Sequence, residues 1–198
     1  STQGVSSAAS DVYKRQSFIR ADIPMTKREI RASVVSRLSP AKDAIVYDIG
    51  AGTGSVSVEL AMHALYGTVY AVERTKEGCE LIAQNARKFG LDNIDIINAS
   101  AADVIEKLPA ADSVFIGGSG GELEKIMDIV LKKNPGVHIV ITAVTLETLN
   151  DSVRLMEDKK VDVIDIVQIA VTQIKKRGRY HMLAANNPVF IIEGRGNR

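Results

Sequence analysis

Apolar runs alternate with stretches of helical periodicity along most of the chain. Apolar residues recur at positions 58, 61, 62 and 65, and again at 79, 82, 83 and 86, which is the spacing of one face of a helix. Compact apolar runs at 44–49, 68–72, 94–97, 113–116 and 137–143 are typical of buried strands. Strands that alternate with helices predict a parallel sheet covered by helices on both faces.

The end of the chain breaks this alternation. Two β-rich runs, 161–173 and 188–192, have no helical pattern between them. Strands that are joined without a crossover helix pair in the antiparallel sense. We therefore predict an α/β fold with a doubly wound, mostly parallel seven-stranded sheet and an antiparallel edge strand.

The ends of the chain lie outside this pattern. Residues 1–16 are rich in Ser and Ala and have no period, so we predict a disordered or non-native tail there. Residues 17–194 are expected to form a single domain, and residues 195–198 to fray. Thr26 and Glu29 have the T-x-x-E spacing of a capping box, which predicts that a helix begins at this point.

Composition excludes several classes of protein. The 25 basic residues are balanced by 24 acidic ones, so the chain lacks the bulk positive charge of a nucleic-acid binder. A single cysteine, Cys79, excludes internal disulfides and favours a reducing, cytoplasmic setting. No apolar run reaches the roughly 18 residues of a membrane span. No spacing of His, Cys or acidic residues indicates a metal site.

Glycines at 50, 52 and 54 follow the first predicted strand and open the next helix, in the sequence YDIGAGTG at 47–54. Such glycines permit a tight turn and let a ligand approach the backbone, while the helix N-terminus offers N–H donors. The spacing is G-x-G-x-G and differs from the G-x-G-x-x-G of dinucleotide enzymes. A nucleotide-like ligand is therefore predicted to bind Gly50, Ala51, Gly52, Thr53 and Gly54.

Two acidic residues flank this ligand site in the sequence. Glu73 ends the second predicted strand about 20 residues further on, where an acid accepts hydrogen bonds from both hydroxyls of a ribose. The alternative for Glu73 is a solvated charge at a strand end. Asp48 precedes the first glycine, and it either supports the loop backbone or faces an amino group of the ligand.

The glycine pattern together with Asp48 and Glu73 resembles class I S-adenosylmethionine-dependent methyltransferases. Five segments resemble one family within that class, the decarboxylating cobalt-precorrin methyltransferases, which act on carbon 15 of the ring in anaerobic cobalamin synthesis. The resemblance extends from about residue 18 to 193. The five segments are 23–27 (IPMTK), 48–54 (DIGAGTG), 115–121 (FIGGSGG), 144–147 (VTLE) and 187–190 (NPVF).

The resemblance implies S-adenosylmethionine as cofactor and adds Thr26 and Ala101 to the residues that contact it. Where the family usually has Gly-Asp-Ala-Pro, residues 99–102 of this chain read Ala-Ser-Ala-Ala. The acid that is missing at Ser100 would have been an acceptor for the adenine amino group. No catalytic residue is assigned.

The resemblance further implies an anionic tetrapyrrole as acceptor, bound near Gly117, Gly118, Ser119 and Gly120. Backbone amides of this glycine segment could form an anion nest for a carboxylate of the acceptor. Lys176 and Arg177 belong to a basic run at 175–179, which either is a solvated hairpin turn or captures acceptor carboxylates. A homo-oligomer, with a tetramer as one form, is also implied.

Three other functions stay open from the sequence. The first is another class I methyltransferase with a tRNA or small-molecule acceptor, which would call for a larger basic surface or an added RNA module. The second is a nicotinamide-dependent oxidoreductase, which the glycine spacing disfavours. The third is a protein that binds S-adenosylmethionine only as a sensor.

Overall fold

The fold follows the predicted alternation of strands and helices. The computed structural model describes residues 18–197, so the tail predicted at 1–16 lies outside the described residues. The helices are α1 Arg28–Leu38, α2 Ser55–His63, α3 Lys76–Lys88, α4 Ala101–Val104, α5 Leu123–Lys133 and α6 Leu146–Asp158. The strands are β1 Ile45–Ile49, β2 Thr68–Glu73, β3 Ile94–Asn98, β4 Ser113–Ile116, β5 His138–Ala143, β6 Asp162–Ile169, β7 Thr172–Arg177, β8 Tyr180–Ala185 and β9 Val189–Arg195.

Seven of these strands form one sheet in the order β3-β2-β1-β4-β5-β9-β6. The pairs from β3 to β5 are parallel, and β9 is antiparallel to both β5 and β6. The predicted fold class is confirmed. The antiparallel strand lies one position in from the edge, and β6 is the edge strand.

Successive residues of the central strands point to opposite faces of the sheet and pack into two hydrophobic cores, one on each face. On one face, Ile49 and Val114 pack with Met127 of α5. On the other face, Val46 and Val140 belong to a second core, to which α1 and α2 contribute. Fully burying an aliphatic side chain contributes about 1.5–3 kcal/mol, so these two cores hold the helices against the sheet. The carboxyl ends of β1, β2 and β4 are thereby fixed at one edge.

The segment between β6 and β9 differs from the prediction. The run 161–173 was predicted as one strand, but it breaks after Ile169, and β7 and β8 form a separate two-stranded antiparallel sheet. Every residue of β7 is exposed. Because neither face of this hairpin is buried within the chain, it has no apolar alternation from which to predict it.

One prediction for the end of an element is wrong. The helix α1 begins at Arg28 with Lys27 at its N-cap and no side-chain capping bond, so Thr26 does not form the expected capping box. At the other end of the chain, Arg195 pairs with His138 and the side chain of Asn197 donates to the Lys160 carbonyl, and the fraying expected at 195–198 stays a prediction. Within residues 18–197, no helix is long and apolar enough to cross a membrane.

Candidate active site

A cavity of about 480 Å³ opens at the carboxyl ends of the central strands. Strand order reverses at β1, whose neighbours are β2 and β4, and ligands of α/β proteins bind at such a switch point. The predicted site residues on its wall are Thr26, Gly50, Ala51, Gly52, Thr53, Glu73, Ala101, Gly117, Gly118, Ser119 and Gly120. Both glycine segments of the sequence therefore meet in one cavity.

The first glycine loop is held to the sheet by its own backbone. The amides of Gly50 and Ala51 both donate to the carbonyl of Val72, at 3.0 and 3.2 Å. A Cβ atom on Gly50 would lie 2.5 Å from the carbonyl oxygen of Gly118. Only glycine permits this approach, so the two glycine segments pack backbone against backbone and leave the adjoining cavity wall free of side chains.

Glu73 lies at the end of β2 with its carboxylate fixed by the protein. One oxygen accepts from the amide of Gly52 at 2.9 Å, and the other accepts from the amide and the hydroxyl of Thr75, each at 2.9 Å. Partial burial alone would raise the pKa of Glu73, but these hydrogen bonds outweigh it and lower the pKa below its ordinary value. The carboxylate is therefore ionised, and after these three hydrogen bonds about one lone-pair site is left for a hydroxyl of a ligand.

Two predicted cofactor residues do not line the cavity. Asp48 is fully buried in β1, where it accepts a hydrogen bond from the hydroxyl of Ser57, and its other oxygen has no partner. Gly54 caps α2 and packs against Ile82 of α3, where a Cβ atom would lie 3.0 Å from the Ile82 side chain. Of the two roles predicted for Asp48, support of the loop fits this position better than contact with the ligand.

Residues 23–27 form the cavity wall that faces the first glycine loop. Asn85 of α3 holds the chain just before this wall. Its side chain accepts from the amide of Ile19 and donates to the carbonyl of Ile19, and it also donates to the carbonyl of Thr53 at 2.9 Å. The buried Arg31 pairs with Glu59 and donates to the carbonyl of Thr26 at 3.0 Å. The wall and the loop are thus anchored to the same helices.

The second glycine segment is less suited to anions than predicted. The amides of Gly117 and Gly118 both donate to the carbonyl of Ile49, at 2.9 and 3.3 Å, so neither is available to a ligand. The segment then ends in Glu122, whose carboxylate also lines the cavity. The five-amide nest expected from the sequence is therefore reduced to residues 119–121.

Side chains from three strand ends converge beside this segment. Glu122 accepts a hydrogen bond from the hydroxyl of Ser100, which follows β3. The guanidinium of Arg74, which follows β2, lies against Gly120, where a Cβ atom would be 2.6 Å from its nitrogen. Arg74, Ser100 and Glu122 all line the cavity.

Lys176 and Arg177 do not line the cavity. Both are exposed on β7, and because strand residues alternate in direction, the two side chains lie on opposite faces of the hairpin. The hairpin nevertheless starts at the edge of the sheet where the cavity opens. β6 ends and β9 begins at this edge, and Val189, the first residue of β9, lines the cavity.

Sequence reasoning missed several residues of the cavity wall, chief among them Lys27, Arg74, Glu122 and Val144. Lys27 and Val144 lie within the segments 23–27 and 144–147 that carry the resemblance, whereas Arg74 directly follows Glu73 and Glu122 directly follows the segment 115–121. This closeness in sequence is the only signal that could have assigned them to the site. Among residues 18–197, no group of three or more His, Cys, Asp or Glu side chains could hold a metal ion.

Comparison with known proteins assigns the chain that carries this cavity to a family. A family model described as a precorrin methyltransferase domain matches residues 17–194. A protein of Pyrobaculum calidifontis named as a probable cobalt-precorrin-6B C(15)-methyltransferase (decarboxylating) is 39% identical over 88% of this chain and 91% of its own length.

Solved structures agree with this assignment. A precorrin-6y C5,15-methyltransferase from Geobacter metallireducens superposes with a TM-score of 0.84 at 37% identity, covering 91% of this chain and 94% of that one. A precorrin 8W decarboxylase from Methanobacterium thermoautotrophicum gives a TM-score of 0.84 at 32% identity, over 90% of this chain and 97% of that one. The chain belongs to the precorrin methyltransferase family.

Proposed function

We propose that this protein transfers a methyl group from S-adenosylmethionine to carbon 15 of a cobalt-precorrin and removes the carboxyl group of the acetate on ring carbon 12. The observation that carries the proposal is the single cavity in which the bare glycine loop, the fixed Glu73 carboxylate and the second glycine segment meet. The named activities of the relatives supply the acceptor and the coupled decarboxylation.

The cofactor half of the proposal rests on the loop and on Glu73. Gly50, Ala51, Gly52 and Thr53 offer backbone at the wall, and the ionised Glu73 has an acceptor site left for a ribose hydroxyl. Thr26 and Ala101 close the two sides of the same space. These residues fit an adenosine because the glycine loop leaves space for the ligand beside the Glu73 carboxylate. Hydrogen bonds from Gly52 and Thr75 already fix the orientation of that carboxylate.

The acceptor half of the proposal rests on basic side chains and on an exposed apolar residue at the mouth of the cavity. Lys27 lines the cavity toward β9 and can pair with a carboxylate of the tetrapyrrole. Val144 lines the same cavity and is 68% exposed, which gives the macrocycle an apolar contact at the mouth. Gly117, Gly118, Ser119 and Gly120 shape the floor between these groups. Arg177, on the hairpin that rises from this edge, extends the positive charge outward.

S-adenosylmethionine supplies an electrophilic methyl group, so the protein needs no strong general base for an electron-rich ring carbon. The residues of the cavity align donor and acceptor and exclude water, effects that contribute several kcal/mol. Loss of carbon dioxide leaves an electron pair that the conjugated macrocycle can accept, as an organic cofactor would. We assign no residue to that step.

We further propose that the protein assembles as a homo-oligomer through the hairpin and works in the cytoplasm. Ile174 and Leu183 lie opposite each other on one face of the hairpin and are 67% and 74% exposed. A two-stranded sheet is only marginally stable alone, and a second copy would cover this apolar face. The single cysteine supports a reducing compartment.

The direct test is anaerobic incubation with the cobalt-precorrin substrate and methyl-labelled S-adenosylmethionine, followed by mass spectrometry. The product is expected to gain one labelled methyl group and to lose one carbon dioxide. As a test of the site, Glu73→Ala should weaken S-adenosylhomocysteine binding by at least about tenfold in calorimetry, because a charge-assisted hydrogen bond to the ribose is lost. A product with neither change would refute the proposed activity.

A further inference from the structure

We propose that Glu122, held by Ser100, recognises the exocyclic amino group of the adenine and so makes the protein specific for an adenosyl donor. The inference deepens the proposed function and rests on S-adenosylmethionine binding at this cavity. The carboxylate of Glu122 belongs to the segment that follows β4, and it reaches the carboxyl end of β3.

The path of the chain brings Glu122 to this position. Residues 117–122 follow β4, yet they contact the residues that follow β1, β2 and β3 in turn. Gly118 packs on Gly50, Gly120 on Arg74, and Glu122 bonds Ser100. Because β4 and β3 lie on opposite sides of the β1–β2 pair, the segment must arch over the carboxyl ends of both strands. The carboxylate therefore lies beyond Glu73, at the β3 end of the cavity.

The hydrogen bond with Ser100 leaves the carboxylate able to bind a donor. Ser100 donates to one oxygen of Glu122, and a carboxylate offers about four lone-pair sites in all. Both side chains are partly exposed and line the cavity. An amino group that enters this end would meet an acceptor whose orientation is fixed by a neighbouring hydroxyl, which is the arrangement that makes a polar contact selective.

The remaining lining at this end suits a flat, neutral ring. Val72, Ala99 and Ala101 supply small apolar surfaces around the Ser100–Glu122 pair. An aromatic base buries such a surface favourably and presents its amino group at one edge.

Charge along the cavity separates this end from the acceptor. Lys27 bonds the carbonyl of Asn187, just before β9, so it lies toward the opposite side of the sheet from β3. Across the sheet the charged side chains are thus Lys27, then Glu73, then Glu122, with the guanidinium of Arg74 between the two acids, against Gly120. An acceptor that carries several carboxylates is repelled by Glu122, whereas an amino group is attracted. The β3 end is therefore the place for the base of the donor and not for the tetrapyrrole.

The experiment measures, by isothermal titration calorimetry, the affinity for S-adenosylhomocysteine and for two analogues with a changed base. One analogue has purine in place of adenine and so lacks the amino group, and the other has hypoxanthine, which carries a carbonyl at that position. We expect Glu122→Ala to weaken S-adenosylhomocysteine by about tenfold and to leave the purine analogue unchanged, because only the first makes the bond. Glu122→Gln should bind the hypoxanthine analogue more tightly than wild type does, since its amide can donate.

Glu124→Gln is the matched control, because Glu124 is an exposed acid in the first turn of the same helix. It should leave all three affinities unchanged, and thermal unfolding verifies that each variant is folded. Equal losses for S-adenosylhomocysteine and the purine analogue in Glu122→Ala would overturn the inference while the proposed function stands. Wild-type protein that binds none of the three ligands would overturn both.

Discussion

At the scale of the residue, Asp48 carries a charge in a place that disfavours it. Burial raises the pKa of Asp48 to about 6, the hydrogen bond from Ser57 lowers it in part, and the nearby charge of Glu73 raises it further. One carboxylate oxygen has no partner. An ionised group with an unsatisfied oxygen costs stability, and such costs are common near functional sites.

The cost at Asp48 predicts a pH dependence of stability. The folded-state pKa of about 6 exceeds the ordinary value of 3.8, so between these values the folded chain holds a proton that the unfolded chain has lost. Stability therefore falls as pH rises through this window and stays lower above it, by about 3 kcal/mol. Asp48→Asn should raise the free energy of unfolding in urea at pH 8 by about 2–3 kcal/mol and change it little near pH 4.

The exposed Asp43 provides the control for this measurement, because Asp43→Asn changes a surface side chain and should leave the free energy of unfolding at pH 8 close to that of wild type. An Asp48→Asn variant with the same effect at both pH values would contradict the raised pKa.

At the scale of the element, the hairpin separates the two basic residues that the sequence placed together. Lys176 shares a face with Ile174 and Leu183, while Arg177 shares the other face with Lys175, Met182 and Tyr180. If the apolar face meets a second copy, the face with Arg177 is the one left for the acceptor.

This arrangement predicts unequal effects of two charge reversals. Arg177→Glu should raise the KM for the tetrapyrrole by about tenfold, because it replaces attraction with repulsion, while cofactor affinity stays unchanged. Lys176→Glu should leave the KM close to that of wild type. Steady-state kinetics at low ionic strength, together with calorimetry, measures both. Equal increases in KM for the two variants would show that the faces are not distinct.

The elements that the sequence could predict are those with a buried face. Periodicity located the helices that carry Ile82 and Met127, and the apolar runs located β1 to β5, because burial imposes the pattern. The cavity residues Gly52 and Glu73 were predictable because they follow strands directly in sequence. The pairing of Glu122 with Ser100 could not be predicted from the sequence. It depends on the path of residues 117–122 across the carboxyl ends of the strands, which no local pattern encodes.

At the scale of the whole molecule, the apolar face of the hairpin predicts assembly. Leu183→Glu should lower the sedimentation coefficient from that of an oligomer toward that of a single chain, because a carboxylate in a covered apolar contact is costly. Met182→Glu is the matched control, since Met182 is also exposed but lies on the other face of β8. A wild-type chain that sediments as a monomer at micromolar concentration would contradict the proposed oligomer.

The position of β9 inside the sheet has a consequence for how the chain is made. β6 precedes β9 in the sequence, yet β9 lies between it and β5. As the polypeptide leaves the ribosome, the parallel strands up to β5 can associate in order, but β6 has no partner until residues 189–195 emerge. Val189 also closes part of the cavity. The last part of the cavity wall is therefore added by the same late step that docks the outermost strand, and a nascent chain short of β9 lacks both.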